Sequence, residues 1–318
     1  MTSIMFPVPS STTSRFAVAA DHIPHDLAGA ARSRTVAFSP HLAGRLGTPQ
    51  LTLQRETLAD LRWDPARITA VHPGQRRAQW AFHQAAEFAV VTSTAPVTDQ
   101  PRGAQVARAA AHALADATGG VVADLVTGHI LSPPTTERTS FVLADQWLGD
   151  ALPPFRANGR CTAADPEHDP EGVNGCSCVR LRTRGLRRFG LPELQITDVA
   201  CPHDLVALNV LRTTARHLLT DHWQWLATGP ADQTRTITAT RQLTESDFND
   251  FWGSTREPCT HPGAFEAHLT PITPRLWSVA PPPTFDGTTN DWLWGDTLPT
   301  SLHDVLSSPA DPPFPQAA

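Results

Sequence analysis

Two residue types are missing from the sequence of 318 residues: it has no tyrosine, and all 25 of its cationic residues are arginine, so lysine is absent too. Without lysine there is no Schiff-base nucleophile or phosphate clamp, and without tyrosine no phenolic acid or nucleophile. Enzyme classes that depend on either are excluded. Enrichment in Ala, Arg and Pro reads as GC-rich coding bias, with selection against lysine modification as the other reading. No apolar run approaches the length of a membrane span, and MTSIMFPVPSSTTSR carries no cationic residue ahead of an apolar stretch. A cytoplasmic location is the expectation. Cationic excess is lacking as well: the formal charge of −6 argues against nucleic acid, whose sequence-independent binding draws on many contacts to phosphate. Glycine is outnumbered by proline, 19 to 30, which predicts fixed turns, extended connections and few long helices. Also absent are GxGxxG, a phosphate loop, HExxH, a GxSxG elbow and paired CxxC motifs.

What is present is enough apolar residue, 40%, to bury a core against 18% charged residue. The five cysteines (Cys161, Cys176, Cys178, Cys201 and Cys259) are an odd count, which suits reduced thiols better than a disulfide framework. Residues 1–14, rich in Ser, Thr and Pro, read as a disordered tail. A first α+β unit is expected over 15–150, with short strands at Arg34 to Phe38 and Gln50 to Leu53. Within it Glu87 to Thr94 reads as a strand, Pro101 to Thr118 as an alanine-rich helix closed by Gly119-Gly120, and Val121 to Asp124 and His129 to Leu131 as two more strands, a β-α-β-β order. Residues 151–175 form an irregular acidic loop. A second α+β unit covers 176–280: strands at Cys178 to Thr183, Leu194 to Val199 and Thr234 to Arg241 surround a helix over Pro202 to Trp225. Residues 281–318 are a Pro-rich tail holding an apolar island, 291–306, expected to dock through Trp292, Leu293, Trp294, Leu302 and Leu306.

The segments APVTDQPRGAQVARAAAHALADATGGVVADLVTGHIL (95–131) and VRLRTRGLRRFGLPELQITDV (179–199) resemble a group of uncharacterised bacterial proteins. The resemblance covers the middle half of the chain and implies a fold, two duplicated ferredoxin-like βαββ units with antiparallel sheets packed by helices. It implies no reaction and carries over no catalytic residue.

Candidate chemistry therefore comes from the residues. Cys176-x-Cys178, Cys201-x-His203 and Cys259-x-His261 each place two soft ligands on one side of an extended segment, where they could grip zinc; buried, incidental cysteine is the competing reading. The acidic loop bearing Asp165, Glu167, His168, Asp169 and Glu171 lacks the pattern of a calcium loop and reads as solvated. His217 and Asp221, four apart on the second helix, with His222 adjacent, are candidates for a general base and its orienting carboxylate, although no nucleophile accompanies them. The densest charge feature is Arg180, Arg182, Arg184, Arg187 and Arg188. Guanidinium forks recognise carboxylate and phosphate, so the first three, alternating along one strand, would make an anion-binding face; an ordinary polar strand face is the alternative. Six of the nine tryptophans follow residue 220, where they fill a core or dock the carboxyl-terminal segment. Two functions follow: a non-catalytic interaction protein, without cofactor, that takes an anionic ligand or an acidic protein partner on the arginine strand, or a zinc-dependent hydrolase using the Cys/His pairs.

Overall fold

The computed structural model describes residues 2–34, 39–132, 141–150, 176–229, 233–254 and 265–295, with Leu298 and Leu302. The chain begins with two strands, β1 (Ser3–Pro7) and β2 (Ser11–Ala20), which corrects the expectation of a disordered tail. Alternation outweighs composition here: Ile4 and Phe6 are buried between exposed Ser3, Met5 and Pro7, the period-two pattern of a half-buried strand. Thr12 and Ser14 extend the same alternation into β2. Two short helices follow, α1 (Leu27–Arg32) and α2 (Ser39–Arg45), then β3 (Leu51–Glu56) and α3 (Arg76–Gln84). Of the strand expected at Arg34 to Phe38, all but Arg34 lies outside the described residues.

The expected β-α-β-β stretch is present as β4 (Glu87–Pro96), α4 (Arg102–Thr118), β5 (Val121–Asp124) and β6 (His129–Ile130). Its strands are not all neighbours. β2 inserts between β4 and β5, giving a five-stranded antiparallel sheet of order β3-β4-β2-β5-β6. One face of this sheet, with Phe16, Val18, Ala89 and Val91, packs on α4, and the other, with Ala17, Phe88 and Ala123, on Phe82 of α3. Buried alanines nearly surround α4, as an enclosed helix requires, and their small size brings it close to the sheet.

The second half opens with α5 (Ala144–Trp147) and β7 (Gly149–Asp150), then β8 (Val179–Arg184), β9 (Glu193–Val199) and the long α6 (Asp204–Ala227). The strand expected over 234–241 is two strands, β10 (Thr234–Thr238) and β11 (Thr240–Leu243). The division falls at Ala239, whose N–H donates to Thr2 while its carbonyl accepts from Leu269. β10 therefore pairs with β1, and β11 joins the second sheet. After α7 (Glu245–Trp252) come β12 (Phe265–Thr273), β13 (Leu276–Ala280) and α8 (Thr289–Trp294). This sheet has the order β11-β12-β13-β9-β8-β7, antiparallel except between β13 and β9. The architecture is thus α+β with antiparallel-dominated sheets, and no helix among the described residues is long and apolar enough to cross a membrane.

The two halves share one apolar core. Phe141, Trp147, Phe189 and Trp223 form an aromatic cluster across the junction, edge-to-face except for the tilted Phe141–Trp147 pair, with Phe16 against Trp147. The carboxyl-terminal island also joins this core: Trp292, Leu293, Leu298 and Leu302 are buried, and the Trp292 indole N–H donates to the Glu266 carbonyl at 3.0 Å. Trp294, expected to dock with them, is 57% exposed. Leu306 lies outside the described residues.

Candidate metal centre and arginine hairpin

The densest chemistry gathers on the hairpin of β8 and β9. Alternation along β8 buries Val179, Leu181 and Thr183 and turns Arg180, Arg182 and Arg184 outward, as the sequence predicts. Arg187, in the turn, is also exposed. None of these four arginines forms an ion pair among the described residues, whereas Arg45, Arg55, Arg212 and Arg241 all pair with carboxylates. The outer sheet face beside Arg182 continues through Gln195, Ser278 and Thr270 in register, a polar row without a carboxylate.

Arg188 does not belong to this surface, which corrects the fifth member of the predicted set. Its side chain is fully buried and donates to Asp124 at 2.6 Å, with both groups at 0% exposure. The guanidinium also lies 5.4 Å from the Trp147 ring centroid and 5.9 Å from that of Phe16. The other Asp124 oxygen accepts from the Val126 and Thr127 N–H groups, so the carboxylate has partners on both sides. Charge alone could not have separated Arg188 from its neighbours. The short 3-10 turn Leu186–Phe189 points its last two residues into the junction, and only the fold supplies Asp124.

Glu193 organises the turn end of the hairpin. Buried at the start of β9, it accepts from the Thr183 hydroxyl at 2.8 Å and from the N–H groups of Gly185, Leu186 and Arg187. Gly185, at φ +136°, lies against the Trp147 carbonyl, where any β-carbon would clash. Gly190, at φ +86°, similarly faces Val97 and His222.

At the open end, Cys176 and Cys178 precede β8, and Cys201 follows β9 in the 3-10 turn Cys201–His203 that leads into α6. The three thiols converge. Cys176 and Cys201 Sγ are 3.6 Å apart, all three sulfurs lie within 4.8 Å of one another, and the Cys201 N–H donates to Cys176 Sγ at 3.2 Å. This group could hold one soft metal ion. His203 is buried with its ring 5.3 Å from that of Trp294 and is not a member of the group. Cys161, Cys259, His261 and the acidic residues 165–171 lie outside the described residues. Behind the thiols, buried Asn290 of α8 accepts from the Ala200 N–H at 2.7 Å, fixing the backbone just before Cys201.

The candidate base residues sit elsewhere. His217 lies fourteen residues beyond His203 on α6, which at the rise of a helix is about 20 Å of axis. Its Nε2 is 3.8 Å from Asp221, but Nδ1 is closer to Asp247, at 3.2 Å. Asp221 itself takes a 2.7 Å bond from Arg241. Burial pushes the Asp247 carboxyl up, and His217 with the Thr244 hydrogen bonds more than offsets this, leaving it below the ordinary range. The arrangement ties α6 to α7. His222 is fully buried and neutral, held down to about 4 by burial first and the Arg235 charge second, and its Nδ1 lies 3.0 Å from Arg235 Nη1. Compared with known proteins, the chain matches no family model, no curated protein and no solved structure.

Proposed function

We propose that this chain is a cytoplasmic, non-catalytic recognition protein that takes an anionic ligand or an acidic protein partner on the outer face of β8. Under this reading the two βαββ stretches act as related ferredoxin-like units, the first a scaffold and the second the carrier of the site. The observation that supports it is the clustering of outward Arg180, Arg182, Arg184 and Arg187 on one hairpin, without ion pairs among the described residues. A strand spaces alternate side chains by about 7 Å, and each guanidinium presents a fork that fits a carboxylate. The strand is held at its turn by Glu193 and Arg188, which limits the ordering cost of binding.

The second reading, a zinc-dependent hydrolase, gains support from the converged thiols alone. His217 is separated from them along α6, and His222 is enclosed by Arg235 and Trp225, so neither is in reach of a water at the thiol group. Binding of a fluorescent oligoglutamate peptide tests the first reading. The Arg180→Glu/Arg182→Glu/Arg184→Glu variant should keep the thermal midpoint of the parent and lose at least about tenfold in affinity, with salt weakening the parent alone. Equal binding by both proteins would refute it.

A further inference from the structure

We propose that Cys176, Cys178 and Cys201 form a zinc centre that closes the open end of the arginine hairpin. The assignment does not rest on what the arginines bind. Its first support is convergence: two thiols arrive from the approach to β8 and the third, 25 residues on from Cys176, from the turn into α6. Only the hairpin brings them together. The spacing then discriminates among the uses of clustered cysteine. At 3.6 Å the Cys176 and Cys201 sulfurs are well beyond a disulfide bond, about 2.05 Å. They match instead the edge of a tetrahedron with zinc–sulfur bonds of about 2.3 Å, an edge of about 3.8 Å.

Burial argues the same way. Cysteines that merely fill a core are enclosed, but here Cys178 is exposed and Cys176 and Cys201 are half-buried. They lie at a solvent-reachable rim where an ion can enter. The form of cysteine that binds metal is the thiolate. Cys176 Sγ accepts the Cys201 N–H, and Cys201 stands just ahead of the first turn of a 24-residue helix, whose dipole is positive at that end. The backbone that places Cys201 is itself pinned by buried Asn290, the kind of outer support that holds ligands of a metal in position.

Thiolates select soft ions: zinc, copper(I) or iron. A multi-iron cluster distributes its cysteines over different irons, whereas these three sulfurs, all within 4.8 Å of one another, converge on one point. Three thiolates supply three of the four positions a tetrahedral zinc takes. In this place the ion would tie the strand ends Val179 and Val199, which are paired in register, through the residues that flank them.

The test is metal analysis of the full-length chain purified without chelator. One equivalent of zinc is expected, with loss of metal in Cys176→Ser and in Cys201→Ser and full retention in Ser177→Ala. Cobalt exchange should add a sulfur-to-cobalt charge-transfer band that the two serine variants lack. Should a serine variant fail to fold, the parent chain stripped with chelator and retitrated with zinc against a chromophoric competitor answers the same question. Uptake should be stoichiometric and should protect three of its five thiols from a disulfide reagent. A folded parent chain that takes up no zinc overturns the proposal. So does zinc uptake that leaves all the thiols reactive, or purification with copper or iron in stoichiometric amount.

Discussion

The two ends of the arginine hairpin are held by different chemistry. At the turn, everything required comes from the chain: Glu193 collects one hydroxyl and three N–H groups, and Arg188 reaches 64 residues back in sequence to Asp124. At the open end three half-buried to exposed thiols gather within 4.8 Å of one another. The turn end is therefore set by folding alone, whereas the open end, under the zinc proposal, is completed by a soft ion. The difference makes the first a matter of stability and the second a matter of ligation, and each can be broken without the other.

The largest effect is expected at the turn. Asp124→Ala would leave a buried guanidinium without its counter-charge, an arrangement that costs about 3–5 kcal/mol. The aromatic faces of Trp147 and Phe16 compensate only in part. Adding Arg188→Met should recover most of the loss, because the charge and its missing partner go together. Urea unfolding of both variants, with the two single substitutions, gives the coupling energy. A cost below about 1 kcal/mol for Asp124→Ala would mean that the pair does not hold this end.

A smaller effect should come from acid. His222 packs against the turn at Gly190 and, held down to about 4 by burial and by Arg235, is neutral in the folded chain. The unfolded imidazole takes up its proton near the usual value of about 6.5. Stability is therefore complete above that pH, falls as pH drops through the interval, and levels off below the folded value, for a loss of up to about 3 kcal/mol. His112 on α4, brought to about 4 by burial and by Arg108, adds to the same slope. Denaturant midpoints between neutral pH and pH 4.5 should fall in the parent and fall less in His222→Gln. An equal slope in both would place the acid sensitivity elsewhere.

Much of this hairpin could be read from the sequence, and the unread part has a common cause. Period-two alternation marked Cys178 to Thr183 as a strand with Arg180, Arg182 and Arg184 on one side, where β8 lies, and helical spacing marked α6. The same alternation ran through Ile4 and Phe6, but there Ser, Thr and Pro content obscured it, since a strand paired on one side to β10 tolerates polar residues on the other. Cys176, Cys178 and Cys201 were legible as ligand types and not as a group, because their meeting depends on the register of β8 on β9. Arg188, Glu193 and Asn290 carry no local signal of their roles. Each acts on a partner supplied by tertiary structure: Asp124, the turn N–H groups and Ala200. The histidines show the converse. His217 and Asp221 had the right spacing for a catalytic pair, yet Asp247 and Arg241, from other elements, engage both.

The smallest predicted effect separates the two ends most cleanly. Asn290→Ala removes the acceptor of the Ala200 N–H, a buried donor with a 2.7 Å bond, and should cost about 1–2 kcal/mol in stability. A purely structural role would end there. If Asn290 also positions Cys201 for a metal, the variant should bind zinc about tenfold more weakly, as loss of an outer-sphere support does. Trp292→Phe, on the same short helix as Asn290, is the matched control: it removes the indole bond to the Glu266 carbonyl of β12, loosening α8 without touching Ala200. Competition titrations with zinc should then rank the parent and Trp292→Phe together, with Asn290→Ala below them. Asp124→Ala, where folded, should keep the parent's zinc affinity, since the turn end has no share in the thiols. Parental zinc affinity in Asn290→Ala would confine that residue to packing, and a shared loss in Asp124→Ala would show that the two ends of the hairpin are one cooperative unit.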